Sequence, residues 1–207
     1  MKLILDCGSG NTCRNDKAIV REMIDAITAV NTGKHEITLK WQLFESAPPN
    51  VPLDRDIFDY AYDYAYGQYK TTASVFDGSS LEFLREYDTP FIKIANRPDL
   101  YHLVDSENEY YISSDSQMVN ATKKMTKNNK LTFMCCISKY PAVLDDYEKA
   151  FPPELLSKAV SDHTAGWDLY NKYKSLILEK HFVHTRDSGN PDAGAFAVTA
   201  EELKEIL

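Results

Sequence analysis

Short apolar runs alternate with longer amphipathic ones along this chain, eight times over, and no other feature restricts its fold as tightly. The runs over 3–5, 36–44, 71–76, 90–95, 109–113, 131–136, 156–161 and 176–182 read as strands. Apolar spacing of three and four predicts helices over 17–30, 55–66, 79–87, 98–104, 116–125, 145–150, 166–174 and 199–207. Gly33 breaks the first of these, and Thr199 with Glu202 reads as a capping box opening the last. Repeated strand–helix units build a parallel sheet, either doubly wound or closed on itself. Eight of them fit the closed (β/α)8 TIM barrel of the α/β class, and 207 residues is the compact end of that fold's range. No linker, charge block or low-complexity stretch interrupts the pattern, so residues 1–207 are expected to form a single barrel domain.

Composition narrows the partners. The chain is 43% hydrophobic and 26% charged, enough apolar material for a core without disulfide staples. Its 23 basic residues against 31 acidic ones leave a net charge of −8, which argues against nucleic acid or an anionic membrane as the main partner. No apolar run approaches the roughly 18 residues of a membrane span, and the run at 3–5 is too short for a secretion signal. We therefore expect a cytoplasmic protein. Cys7, Cys13, Cys135 and Cys136 form no CxxC pair, so no zinc ribbon or thioredoxin-type motif is read. Cys135 and Cys136 adjoin on a strand and should point to opposite faces, as buried small hydrophobes of a reducing compartment.

In a parallel barrel the chemistry sits at the carboxyl ends of the strands. Asp6 ends the first strand; Lys40 and Gln42 share one face of the second, since side chains two apart point the same way. Lys93 lies inside the apolar run PFIKIA, Ser161-Asp162-His163-Thr164 ends the seventh strand, and Glu179 and His181 share a face of the eighth. A charge inside a buried strand is costly unless it is paired or meets a ligand. Two lysines pointing into one mouth suit a phosphate or a carboxylate, and a structural ion pair is the alternative for each. The tyrosines at 60, 62, 64, 66 and 69 are expected to pack an outer helix against its neighbours. His35 and His102 are expected at the surface, and His184 lies close enough to the mouth for a phosphate or sugar contact.

These residues carry a resemblance. The segments LKWQLFES (39–46), SVFDGSSLEFL (74–84), TPFIKIAN (89–96), CISKYPA (136–142), SDHTAGWD (161–168), LEKHF (178–182) and NPDAGAFAVTAEEL (190–203) resemble, in order, the sialic acid (N-acetylneuraminate) synthase family with its pseudaminate and legionaminate relatives. The resemblance implies a (β/α)8 barrel that condenses phosphoenolpyruvate with an N-acylated, N-acetylmannosamine-like aldose to give a nonulosonic acid and phosphate. It implies that His163 and His181 ligate a divalent metal, manganese first, with magnesium or cobalt as the other candidates. Lys40, Lys93, Ser74, Asn96, Ser138 and Ser161 are then expected around phosphoenolpyruvate, and Gln42, Tyr140 and Asp192 nearer the sugar. Asp6, Lys40, Lys93 and Glu179 are the expected catalytic set. Two imidazoles alone would equally suit zinc, iron or nickel; with open positions such a metal polarises an aldehyde oxygen, and a carboxylate must manage the proton of the water that adds.

There are departures from the family's pattern, and the phosphoenolpyruvate and metal elements are better retained than the sugar elements. The family's first strand usually ends Glu-Ile-Gly-x-Asn-His-Asn-Gly, where this chain has Asp6-Cys7-Gly8-Ser9-Gly10-Asn11-Thr12. The serine of the family's KIAS is Asn96, and its Pro-Asp-His is Pro191-Asp192-Ala193. The barrel is expected without the family's C-terminal antifreeze-like domain, so a homodimer would use the barrel rim or the Tyr-rich helix. Two other readings stay open: a non-catalytic or diverged barrel that binds a small phosphorylated metabolite, and an aldolase-like reaction through a Schiff base on Lys93.

Overall fold

A computed structural model describes residues 1–43, 50–115, 130–186 and 190–207. Eight parallel strands run in sequence order: β1 (Lys2–Asp6), β2 (Glu36–Leu43), β3 (Lys70–Val75), β4 (Ile92–Ile94), β5 (Tyr110–Ser114), β6 (Leu131–Cys136), β7 (Ala159–Asp162) and β8 (Ile177–Phe182). Each pairs with the next, and β8 pairs back onto β1 with Lys2 opposite Ile177 and Asp6 opposite His181, which closes the barrel. This is a (β/α)8 barrel. Among the described residues no helix is long and apolar enough to cross a membrane.

Helices cover the outside for local reasons. In the helix Lys17–Val30, Val20, Met23, Ile24 and Ile27 form one buried stripe, and the Asp16 carboxylate caps it by accepting from Ala18 N at 2.7 Å. The helix Arg55–Ala65 buries Ile57, Phe58, Ala61 and Ala65. Tyr60, Tyr62, Tyr64 and Tyr69 pack against that core, while Tyr66 stays exposed. Thr199 and Glu202 do form a capping box at the start of the helix Ala200–Leu203.

Strand alternation sorts the interior into two layers. At the base, Ile4, Phe91, Tyr111, Met134 and Ala159 make a small apolar plug, with the Phe91 and Tyr111 rings stacked at 3.9 Å. One inward position further along, seven of the eight strands carry polar side chains, Asp6, Lys40, Ser74, Lys93, Ser113, Ser161 and Glu179, all buried, and β6 carries Cys136. Cys135 joins the outer core and Cys136 faces the interior, and all four thiols are free and buried.

Some expectations fail in detail. The run 156–161 is not one strand: the helix Pro153–Leu156 ends in it before β7 begins, because Pro152 and Pro153 preset the backbone for a helical turn. The segment 98–104 is a 3₁₀ turn, Pro98–Leu103. A ninth strand, β9 (Ala197–Val198), adds to β8 and is too short to leave a periodic signal. The expected helix over 116–125 lies outside the described residues. His35 is not a surface residue: it is buried, with Nε2 3.1 Å from the Ile206 carbonyl oxygen. His102 is exposed, as expected.

Candidate active site

The polar layer opens at the carboxyl ends of the strands into a cavity of about 560 Å³. All thirteen residues that the resemblance assigns to catalysis, substrate or metal line it: Asp6, Lys40, Gln42, Ser74, Lys93, Asn96, Ser138, Tyr140, Ser161, His163, Glu179, His181 and Asp192. They come from separate strands and loops, and the barrel's register brings them together. Asp6 lies opposite Lys40 and His181, Ser74 opposite Lys93 and Gln42, and Ser161 opposite Glu179.

The floor is an ionic cluster. Lys40 Nζ donates to Asp6 Oδ2 at 2.7 Å and to Ser74 Oγ at 3.1 Å. Lys93 Nζ donates to Ser113 Oγ at 2.6 Å and to the Ile94 carbonyl at 3.1 Å. Glu179 lies 3.6 Å from each ammonium and accepts from Ser161 Oγ at 2.8 Å. Burial opposes charge on every member, yet the pairings decide the outcome for three of them. Asp6 falls to about 2, against burial, through Lys40 and His181. Glu179 is likewise lowered by Lys40 and Lys93 despite burial, and Lys40 is raised because Asp6 and Glu179 outweigh its desolvation. Lys93 goes the other way, lowered by burial with the Lys40 charge reinforcing it.

A second group sits beside the floor. The His163 Nδ1 is 2.7 Å from the Ile137 carbonyl oxygen, which can only accept, so Nδ1 carries the proton and Nε2 presents its lone pair. Burial, reinforced by His181, pushes the His163 imidazolium down to about 3, so the ring is neutral. Its backbone is fixed as well: His163 N donates to Tyr147 Oη at 3.0 Å, and that hydroxyl donates to the Ser161 carbonyl at 2.7 Å. His181 lies 5.4 Å away, centroid to centroid, and its Nδ1 is buried without a hydrogen-bond partner, 3.7 Å from Asp6 Oδ2 and 4.0 Å from Asp192 Oδ1. Asp192 Oδ2 accepts from Thr12 Oγ1 at 3.0 Å, and burial raises its pKa. Gly8 serves the turn that brings Thr12 there: its φ is +74°, and a Cβ would sit 2.1 Å from Thr12 Oγ1.

The His163 and His181 imidazoles, the second with an orphaned buried nitrogen, can hold a metal ion as two ligands of an open site, with oxygen donors completing it. Among the described residues no third His, Cys, Asp or Glu completes a cluster with them.

Several lining residues escaped the sequence reading. Ser113 and Cys136 follow from alternation, two positions beyond Tyr111 and Met134, and could have been found. Arg97 lines the rim, held by Asp99 at 2.6 Å. Phe196 packs edge-on against His181 at 5.0 Å and Tyr140 at 5.1 Å, carried by the loop before β9, which no pattern announced. His184 does not line the mouth: its ring faces Glu22 at 3.7 Å on the outside, since it leaves the barrel two residues past the end of β8.

The model of the NeuB family matches residues 53–207. N-acetylneuraminate-9-phosphate synthases of Mus musculus and Homo sapiens are each 27% identical over 157 residues, covering 66% of this chain and 43% of theirs. The spore coat polysaccharide biosynthesis protein SpsE of Bacillus subtilis (strain 168) is 26% identical over 149 residues, or 66% of this chain and 38% of that protein. The chain thus spans about two-fifths of the curated relatives it matches. Among solved structures, the N-acetylneuraminic acid (sialic acid) synthetase of Leptospira borgpetersenii serovar Hardjo-bovis superposes with a TM-score of 0.76 at 20% identity, over 98% of this chain and 80% of that one. The phospho-2-dehydro-3-deoxyheptonate aldolase of Thermotoga maritima gives 0.66 at 12% identity, over 98% and 66%. At these identities the two structures speak for the shared barrel fold.

Proposed function

The chain belongs to the NeuB family, and on that premise we propose that its barrel mouth condenses phosphoenolpyruvate with an N-acylated, N-acetylmannosamine-like aldehyde, giving a nonulosonic acid and phosphate. The observation that supports this most is the pair of fully buried lysines on β2 and β4, surrounded by Ser74, Ser113 and Ser161 beneath an open cavity. Phosphoenolpyruvate is anionic at both ends, and ammonium groups flanked by hydroxyl donors suit it. In this reading Lys40 and Lys93 bind the anion, while Asn96, whose Nδ2 donates to Ser138 Oγ at 3.0 Å, borders it at the rim. Gln42 and Tyr140 contact the acceptor sugar. His163 and His181 would hold a divalent ion, manganese first, whose chemistry when bound is Lewis-acid polarisation of the aldehyde oxygen.

The enol carbon forms the new bond to the aldehyde carbon, water adds to the cation left behind, and phosphate departs. Asp192, with its raised pKa and its seat beside His181, is suited to hold the proton that this water gives up. Asp6 keeps Lys40 and Gln42 in place through its Oδ2, at 2.7 and 2.8 Å. One pair of observations favours a second reading, a barrel that holds a phosphorylated metabolite without condensing it: both lysines already face carboxylates, and among the described residues the imidazole pair lacks a third protein ligand.

Phosphate release from phosphoenolpyruvate, measured with a panel of N-acylated hexosamines and added manganese, magnesium or cobalt, separates the two. Acceptor-dependent release is the expected result, together with loss of stoichiometric manganese binding in His163→Ala and His181→Ala. No release with any acceptor and metal would retire the condensation.

A further inference from the structure

Each mouth lysine has one proton to spare, and both spare protons face the same carboxylate. An ammonium carries three donors. Lys40 gives hydrogen bonds to Asp6 and Ser74, and Lys93 to Ser113 and the Ile94 carbonyl. What remains to each is Glu179, whose Oε2 lies 3.6 Å from Lys40 Nζ and whose Oε1 lies 3.6 Å from Lys93 Nζ. Those distances are too long for hydrogen bonds and short enough for strong Coulomb attraction. Oε2 is buried and has no hydrogen-bond partner, while Oε1 is tethered by Ser161. A carboxylate built only to neutralise buried lysines would be bonded at both oxygens. The two lysines with Asp6 and Glu179 also cancel in charge, so an entering anion meets a neutral cluster.

We propose that Glu179 is an internal anion that fills the lysine seat and thereby decides which anions enter it. The inference rests on the mouth being an anion cradle. A plain carboxylate offers the lysines nothing that Glu179 does not, and it must shed its hydration to enter. A phosphate group brings about twice the charge and further acceptor oxygens, so it displaces Glu179 from the spare protons. The seat is therefore selective for phosphate-bearing ligands over simple carboxylates.

Calorimetric titration with inorganic phosphate and with acetate tests this on the native chain and on Glu179→Gln. The native chain should bind phosphate and show no acetate binding at matched concentration. Glu179→Gln should bind phosphate about tenfold tighter, a small part of the repulsion between two charges at this range, and should now bind acetate. Phosphate bound by the native chain but no tighter by the variant overturns the proposal and leaves the cradle standing. Phosphate bound by neither overturns both, and acetate still excluded from the variant overturns the selectivity. Should Glu179→Gln fail to unfold cooperatively, Glu179→Asp draws the carboxylate back by one methylene; a few-fold tightening is expected, and unchanged affinity overturns the proposal.

Discussion

Two neighbouring rungs of the β7–β8 ladder carry buried charge, and the fold treats them in opposite ways. Ser161 and Glu179 form the inner rung, Asp162 and Lys180 the outer one. On the outer rung every polar atom is used. Lys180 Nζ donates to Asp162 Oδ2 at 3.0 Å and to the Thr164 carbonyl at 2.6 Å, while Asp162 Oδ1 accepts from Thr164 N and Oγ1, both at 2.7 Å. The Trp167 ring covers the ammonium at 5.8 Å. On the inner rung Glu179 Oε2 is orphaned and faces an open cavity. Burial of charge alone does not separate structure from function here; what separates them is whether the buried atoms are satisfied.

The largest effect expected from breaking that comparison is on the outer rung. Lys180→Met leaves Asp162 buried without its countercharge, which typically costs about 3–5 kcal/mol. Urea unfolding should show that loss, with phosphate affinity retained by the folded fraction. A loss under about 1 kcal/mol would mean that the outer pair holds the fold no better than an exposed ion pair does.

A smaller effect, on a different quantity, is expected from the inner cluster. Lys40→Ala and Lys93→Ala should each weaken phosphoenolpyruvate binding by about 1.5–3 kcal/mol, the range for hydrogen bonds to charged groups. Each should destabilise the fold less than Lys180→Met, because water in the cavity reaches the partners left behind. Calorimetry showing unchanged affinity in both variants would sink the assignment of the lysines to an anion.

The same contrast explains what the sequence disclosed. Lys93 stood out because the run PFIKIA is apolar on either side of it, and Lys40 because it shares a strand face with Gln42. Lys180 is as deeply buried but does not stand out, because Glu-Lys-His reads as an ordinary polar end of a strand; alternation turns it away from Glu179 and His181, and only the register shows that it meets Asp162 there. Alternation fixed the barrel, since eight apolar runs can close in few ways. It could not reveal β9, Phe196 or the burial of His35, which depend on where a two-residue strand and the final turn at Ile206 dock. The run 156–161 misled for a related reason: Leu156 is equally apolar as the end of a helix and as the start of a strand.

The smallest expected effect concerns whether the inner cluster also stabilises the fold. Asp6 has a folded pKa near 2 against an ordinary value of 3.8, because Lys40 and His181 outweigh its burial. A carboxyl lowered on folding binds fewer protons in the native state, so its stabilisation is fully present above about pH 4 and is lost as the pH falls towards 2. A shift of this size corresponds to roughly 2 kcal/mol. Asp6→Asn removes the titrating group and keeps one oxygen, which can accept from Lys40 Nζ, as Oδ2 does at 2.7 Å, or from Gly8 N, as Oδ1 does at 3.1 Å, but not from both. Stability measured by urea unfolding between about pH 5 and pH 2 should therefore fall less steeply in the variant than in the native chain. Parallel acid limbs would mean that Asp6 gains nothing net from Lys40 on folding. The inner cluster would then hold its charges in place for a ligand alone, at the expense of stability, and the distinction from the outer rung would be sharper than the hydrogen bonds already make it.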